Sequence, residues 1–267
     1  MPKVSVIVPS HNLGRYLGET LQSVKDQTFP DWECIVVDDA SQDGSPAVAQ
    51  EFMNTDGRFS LLVLPENEGV ARVRNRGLTA AKGEYVLFLD ADDLITPEYM
   101  AAAVEALDSD PSLTLVYGRA ERFGTQSSWD LPPFSMDTML ASNCLYISCF
   151  FRKRVAASFD PAFDAGYEDW DFWLSVLEKV HVPKVLQLPQ LCFRYRTRRG
   201  SRNTGVSDAA LKTIRYQLWK KHKALYARYF CDPCQTVEYR RMERSFQKAS
   251  RWSLAWKFRL FFRKLFA

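Results

Sequence analysis

Short apolar runs of strand length alternate with amphipathic segments of helix length along the first half of the chain. The apolar runs predict strands at 4–8, 32–37, 59–64, 84–89 and 113–117. Apolar residues at helical spacing predict helices at 16–27, 45–52 and 70–81, and a further helix with Thr96 as its N-cap and Pro97 in its first turn. Strands that are continuous apolar runs between helices are typical of a mostly parallel sheet covered on both faces. We therefore expect an α/β fold.

The second half of the chain is less regular. Residues 123–142 are rich in Ser and Pro and predict a loop, 143–151 predicts a strand, and 185–195 predicts one or two strands. An amphipathic helix is expected from Glu168 to about residue 180, and basic helical sequence from about residue 207. This pattern divides the chain into an α/β domain, residues 1–206, and a basic helical C-terminal extension, residues 207–267.

The net charge of +3 hides a strong asymmetry. Residues 211–267 carry fifteen Lys or Arg against three Asp or Glu, and the rest of the chain carries twenty against twenty-nine. A basic tail on an acidic body indicates an anionic partner, either a membrane or a nucleic acid. The chain shows neither a signal-peptide pattern nor about 18 uninterrupted apolar residues, so we expect no transmembrane helix.

The six cysteines do not form a metal-binding pattern. Cys34 lies in an apolar strand and is expected to be a buried free thiol. Cys231 and Cys234 form one C-x-x-C pair with no second pair or suitably spaced histidines, which favours a structural or incidental role over zinc binding. This cysteine usage fits a reducing, cytosolic location.

Carboxylates follow two of the predicted strands directly. Asp38 and Asp39 end one apolar run, and Asp90, Asp92 and Asp93 end another. Because ligands of a parallel sheet bind at the carboxyl ends of its strands, these side chains are expected along one edge. Crowded carboxylates suit Mg²⁺ or Mn²⁺, although a solvated acidic turn has the same composition.

Two further groups carry candidate chemistry. Glu168 and Asp169 open a predicted helix among aromatic residues, which would desolvate a carboxylate and raise its pKa towards that of a general base. Acids are also common at helix N-termini without any such role. Arginines crowd the segment after the last strand and suit phosphate binding, although a solvated basic loop is the alternative. They are Arg194, Arg196, Arg198, Arg199 and Arg202.

Six motifs in this order resemble family 2 glycosyltransferases of the GT-A fold. They are VSVIVPSHN at 4–12, QSVKDQT at 22–28, VVDDASQDGS at 36–45, NEGVARVRNRG at 67–77, KGEYVLFLDADD at 82–93 and EDWDFW at 168–173. The resemblance covers roughly residues 3–205. It implies that residues 1–206 are a catalytic domain that uses a nucleotide-diphosphate sugar as donor and inverts the anomeric carbon. A UDP-sugar is the donor that we expect first.

The resemblance also implies roles for single residues on the nucleotide side. Pro9 and Asp39 would hold the base, with Asp38 nearby. Arg74 would lie near the phosphates or the sugar of the donor. Asp90 would contact the ribose or sugar.

On the reaction side, the resemblance makes Asp92 of the D-x-D motif the ligand of Mg²⁺ or Mn²⁺ and Asp169 the general base. Many relatives carry a His where this chain has Arg198, so we expect Arg198 to contact the diphosphate. The absence of a Q-x-x-R-W motif favours transfer of a single sugar. We expect a role in cell-surface polysaccharide or glycolipid synthesis. A nucleotidyltransferase and a non-catalytic protein that binds nucleotide sugars are the rival interpretations.

The last segment, 251–267, combines aromatic residues with Lys and Arg. An interfacial helix on anionic lipid fits this pattern, and a helix packed on protein is the alternative. We expect a cytoplasmic protein that is peripheral on the inner face of the cell membrane, with a saccharide or lipid-linked acceptor. No nucleic-acid-binding motif is visible, so nucleic acid is not an expected partner, and the sequence leaves the oligomeric state open.

Overall fold

The computed structural model describes residues 1–124, 131–164, 166–198 and 208–229. In the first half, strands β1 to β4 alternate with helices α1 to α3. Their bounds are β1 Val4–Ser10, α1 Gly14–Lys25, β2 Trp32–Asp38, α2 Ser45–Thr55, β3 Phe59–Val63, α3 Val70–Ala80 and β4 Tyr85–Phe88. Each predicted element of this half is present, with ends that differ by a few residues.

The second half contributes four strands, β5 to β8, to the same sheet. Its elements are β5 Leu94–Ile95, α4 Tyr99–Ser109, β6 Leu113–Gly124, α5 Met136–Ala141, β7 Phe150–Arg152, α6 Glu168–Glu178 and β8 Lys184–Thr197. The eight strands follow the order β3-β2-β1-β4-β7-β6-β8-β5. The prediction of an α/β fold is confirmed.

Strands β1 to β4 pair in parallel, and the rest of the sheet is mixed. Strand β1 lies between β2 and β4, with Val4 opposite both Trp32 and Tyr85. Strand β7 pairs antiparallel with β4 and β6, whereas β6 and β8 are parallel. All seven residues of β1 are buried, as expected for a strand covered on both faces. Because β1, β2 and β4 run parallel, their carboxyl ends meet at one edge of the sheet.

The structure corrects three local predictions. Strand β7 covers only the last part of 143–151, because residues 143–149 are irregular although mostly buried. Thr96 is not the N-cap of α4: the cap is Glu98, and the Thr96 hydroxyl donates to the carbonyl of Leu191 at 2.9 Å. Within the predicted loop 123–142, residues Met136–Ala141 form helix α5. Of the one or two strands expected at 185–195, the structure has one, β8. Cys34 is a buried free thiol, as predicted.

Helices α7, Asp208–Lys221, and α8, Lys223–Tyr229, follow as expected for the start of the extension. They contact α6 through a buried polar cluster. Asp171 of α6, fully buried, accepts from Lys221 Nζ at 2.8 Å and lies 3.0 Å from His222 Nε2. His222 Nδ1 lies 2.9 Å from Glu178 Oε2. The rest of the extension, with Cys231, Cys234 and the tail 251–267, lies outside the described residues.

Candidate functional site

Two adjoining cavities open at the edge where β1, β2 and β4 end. The larger, of about 390 Å³, is lined by Pro9 and Asp39 among other residues. The smaller, of about 220 Å³, is lined by Arg74 and Asp169 among others. Both cavities share a set of charged residues at their junction. These are Asp90, Asp92 and Arg198. The structure thus brings together the predicted site residues from motifs that are far apart in sequence.

The larger cavity has a floor built on the ends of β1 and β2. The Asp39 carboxylate accepts from the backbone N–H groups of Glu68 at 2.7 Å and Gly69 at 3.1 Å. Asp39 is buried, yet it lines the cavity. Asp39 therefore ties the turn before α3 to the end of β2 and presents an anionic edge to a ligand.

Asp38 lies behind the cavity lining. One carboxylate oxygen accepts from the Ser41 N–H at 2.9 Å, and the other is buried without a hydrogen-bond partner among the described residues. The side chain is 1% exposed. Asp38 does not line the cavity, and its expected place in the nucleotide-sugar site stays a prediction.

Arg74 is buried between two carboxylates from different elements. Its Nη2 donates to Asp90 Oδ1 at 2.7 Å and its Nη1 donates to Glu168 Oε1 at 2.9 Å. Burial opposes the charged form, but the carboxylates of Asp90 and Glu168 outweigh it and raise the pKa of Arg74. Arg74 therefore links α3 to the end of β4 and to the start of α6. Arg72 and Arg76, four residues apart on the same helix, are exposed and lie on a different face from Arg74.

Asp92 and Asp93 have different surroundings although they are neighbours. Asp92 lies at the cavity junction and accepts from Arg198 Nε at 2.6 Å. Burial, followed by the charges of Asp92 and Asp90, raises the pKa of Asp93 well above its usual range. The Asp93 carboxylate accepts from the Arg196 N–H at 2.8 Å. Asp93 thus anchors β8 to the acidic turn, residues 90–93, and lines only the smaller cavity, whereas Asp92 lines both.

Asp169 lies in the first turn of α6 and lines the smaller cavity. Burial, followed by the charge of Glu168, raises its pKa to about 7, and the positive charge of Arg74 acts against this shift. Its Oδ2 accepts from Asn143 Nδ2 at 3.0 Å, and its Oδ1 accepts from the Trp170 N–H at 2.8 Å. A carboxylate with a pKa near neutrality, held by two donors, is suited to take a proton from a hydroxyl group.

A divalent metal fits this site only together with a phosphate ligand. No group of three or more His, Cys, Asp or Glu suited to a metal occurs within the ranges that the structure describes. At the junction, the Asp90 carboxylate is paired with Arg74, and the Asp92 carboxylate is paired through Oδ2 with Arg198. Mg²⁺ is commonly held by one or two carboxylates with substrate phosphates and water. Asp92 fits that type of site.

Sequence reasoning named Glu168 only as a candidate carboxylate and not as the partner of Arg74, and it missed three other residues that shape the site. Glu168 holds Arg74, and Asn143 donates to Asp169. His11 and Asp164 line the larger cavity, where Asp164 accepts from the N–H of Ala71 at the start of α3. His11 lies inside the quoted VSVIVPSHN motif, which was a usable signal. Asn143 and Asp164 lie in irregular segments that offer none.

A comparison with protein families decides the assignment. The model of glycosyl transferase family 2 matches residues 5–167, which is more than half of the chain. The chain belongs to glycosyl transferase family 2. The match includes β1 to β4, the acidic turn and the segment before α6.

Curated relatives agree with this assignment. The chain is 48% identical over 92 residues to the putative teichuronic acid biosynthesis glycosyltransferase TuaG of Bacillus subtilis, covering 34% of this chain and 36% of that protein. It is 28% identical over 220 residues to the Escherichia coli UDP-Glc:alpha-D-GlcNAc-diphosphoundecaprenol beta-1,3-glucosyltransferase WfgD, covering 80% and 83%. The chain spans between 36% and 41% of the length of three curated relatives.

The crystal structure of S. aureus TarS 1-349 in complex with UDP-GlcNAc superposes with a TM-score of 0.68 at 20% identity, covering 85% of this chain and 73% of that chain. This likeness shows the fold, and the expected GT-A fold is confirmed. In residues 1–124, 131–164, 166–198 and 208–229, no helix has the length and apolar character needed to cross a bilayer.

Proposed function

We propose that this family 2 chain transfers one sugar from a nucleotide-diphosphate sugar to an acceptor hydroxyl with inversion at the anomeric carbon. A UDP-sugar is the donor that we favour. The observation that carries the proposal is the pair of cavities that meet at Asp90, Asp92 and Arg198. The larger cavity suits the nucleoside, with Pro9 and Asp39 against the base. The diphosphate would then lie at the junction, and the acceptor in the smaller cavity beside Asp169.

The chemical step follows from this arrangement. Asp169 takes the proton of the acceptor hydroxyl as its oxygen bonds to the anomeric carbon, and the bond from that carbon to the diphosphate oxygen breaks. A single displacement of this kind inverts the carbon. Mg²⁺ or Mn²⁺ held by Asp92 would neutralise the charge of the diphosphate. Arg198 lies at the junction, where its guanidinium can bind the phosphate oxygens. Asp90, held by Arg74, would face the ribose or sugar.

The biological role is proposed from the names of the relatives. TuaG is named for teichuronic acid biosynthesis, and WfgD for a diphosphoundecaprenol-linked acceptor. A saccharide or lipid-linked acceptor in cell-surface polysaccharide or glycolipid synthesis is consistent with both. We place the catalytic unit in residues 1–206, with residues 207–267 as a basic extension.

A membrane surface on the cytoplasmic side is the proposed partner of the extension. Tyr216 and Trp219 of α7 are exposed by 61% and 44%, and Lys223 Nζ lies 5.3 Å from the Trp219 ring centre. Tyr and Trp beside Lys are enriched where proteins meet the headgroup region of a bilayer. Removal of residues 251–267 is expected to reduce co-sedimentation with anionic vesicles. Equal binding of the two proteins would refute the membrane role of the tail.

The test of the transferase proposal separates catalysis from binding. With a donor that transfers or hydrolyses, Asp169→Asn is expected to lower turnover about 10²- to 10⁴-fold and to leave the dissociation constant of UDP unchanged. Asp31→Asn, a change at an exposed aspartate before β2, is the control and should retain full turnover. Normal turnover of Asp169→Asn would refute the base assignment. Nucleotide binding without any turnover in the unaltered protein would favour the non-catalytic alternative.

A further inference from the structure

Arg198 is placed where a metal ion would have to bind. Its Nε lies 2.6 Å from Asp92 Oδ2, and the two side chains are 24% and 15% exposed. A distance this short is typical of a charge-assisted hydrogen bond. Burial opposes the charged guanidinium, but the bond to Asp92 outweighs it and raises the pKa of Arg198. One of the two Asp92 carboxylate oxygens, Oδ2, is therefore already bound to a cation.

The other arginines of the site hold different groups. Arg74 lies between Asp90 and Glu168. Arg196 donates to the carbonyl of Asp92 and to Glu19. Within the described residues, Arg198 contacts the Asp92 carboxylate and, at 6.0 Å, the ring of Tyr16. Its guanidinium can leave Asp92 without dismantling a second ion pair in that part of the chain.

We propose that Arg198 occupies Asp92 until a nucleotide diphosphate draws it away, so that divalent metal and nucleotide bind cooperatively. The inference rests on the proposed function, because it takes Asp92 as the metal ligand and the junction as the diphosphate site. A metal ion that binds alone either displaces Arg198 and leaves that charge without its partner, or binds Asp92 directly beside the guanidinium charge, and both are unfavourable. A diphosphate at the junction offers the displaced guanidinium two phosphate oxygens in a matching planar geometry.

This exchange makes the coupling reciprocal. If the diphosphate raises the metal affinity by some factor, the metal must raise the nucleotide affinity by the same factor. Couplings between two ligands commonly lie between about 5- and 150-fold. We expect a factor on the order of ten here, since the ion pair is partly exposed and therefore weaker than a fully buried one.

The coupling is measured with Mn²⁺ and UDP on the full chain. Free Mn²⁺ is followed by electron paramagnetic resonance, with and without saturating UDP, for the unaltered protein and Arg198→Gln. Arg15→Gln is the matched control, because Arg15 lies 4.5 Å from the Tyr16 ring. Its guanidinium shares that aromatic neighbour but has no ion pair to Asp92. Thermal unfolding of each variant checks that the fold is retained.

The unaltered protein and Arg15→Gln should bind Mn²⁺ about tenfold more tightly with UDP than without it. Arg198→Gln should bind Mn²⁺ about tenfold more tightly than the unaltered protein when UDP is absent, and its remaining UDP effect should be only the part that direct coordination of the metal by the phosphates supplies. Equal or weaker Mn²⁺ binding by Arg198→Gln without UDP would overturn the inference. Failure of both the unaltered protein and Arg198→Gln to bind Mn²⁺ in the presence of UDP would also overturn the inference. The transferase proposal would survive either result, because Asp169→Asn tests it separately.

Discussion

The rate of transfer is expected to depend on pH through Asp169. Burial and the neighbouring charge of Glu168 raise the pKa of this carboxyl to about 7. A general base works only when deprotonated, so kcat/KM should rise about tenfold per pH unit below pH 7 and level off above it. At pH 6 about one tenth of the molecules would then hold Asp169 in its active, ionised form.

Replacing Glu168 with glutamine tests the cause of this shift. The change removes the second-largest contribution to the raised pKa of Asp169 and leaves the largest, burial, in place. Like charges on neighbouring residues at an effective dielectric constant of about 20 repel by about 2 kcal/mol, which corresponds to roughly 1.5 pKa units. Arg74 keeps its ion pair with Asp90 and continues to favour the ionised carboxylate. The acid limb should therefore move from about pH 7 to roughly pH 5.5.

The assay is the initial rate of sugar transfer at low acceptor concentration between pH 5 and 9, with UDP affinity measured at each pH. Glu105→Gln, at an exposed position on α4, is the control and should keep the limb of the unaltered protein. A limb that stays in place or moves to higher pH in Glu168→Gln would refute the electrostatic explanation. A flat profile for the unaltered protein between pH 5 and 8 would refute the titration of Asp169 itself.

Two further changes test the packing that supports the site. His222→Ala should lower stability by about 3 kcal/mol, because a buried side chain loses two carboxylate partners and Asp171 keeps only part of its compensation. In thermal unfolding, this loss corresponds to a Tm that is lower by about 6–12 °C. The control, His181→Ala at an exposed position, should change the Tm little. Equal Tm values for the two variants would show that the cluster does not stabilise the fold. Gly77→Ala should cost about 1–3 kcal/mol in chemical denaturation, because its new methyl group would overlap a buried β1 side chain. Gly57→Ala has open space and should be nearly neutral, so equal losses would contradict the packing argument.

The elements of the first half of the chain could be predicted because the local pattern of apolar and polar residues determines them. A buried parallel strand must be apolar on both faces, so β1, β2 and β4 are visible as runs between helices. Their carboxyl ends share an edge by topology alone. Asp39 and Asp92 could therefore be placed at one site without any knowledge of side-chain contacts.

The second half depends on contacts between distant residues. Residues 143–149 are as apolar as a strand, yet they are irregular, since their burial comes from packing rather than from pairing in the sheet. Asn143 reaches Asp169 across 26 residues of sequence, and Arg74 reaches Glu168 across 94. Local periodicity carries no information about such pairs. The burial of Asp169, which is the largest cause of its raised pKa, was predictable only as far as the aromatic neighbours of α6.

Arg74 shows why a costly contact is useful at this site. Burying an arginine between two carboxylates contributes little to stability, because desolvation offsets most of the attraction. The same contact fixes the end of β4 against the start of α6 through bonds of 2.7 and 2.9 Å. Only Ala91 separates Asp90 from Asp92, and Glu168 directly precedes Asp169. Under the proposed mechanism, Arg74 therefore sets the position of the base relative to the donor, and its contribution is geometry rather than stability.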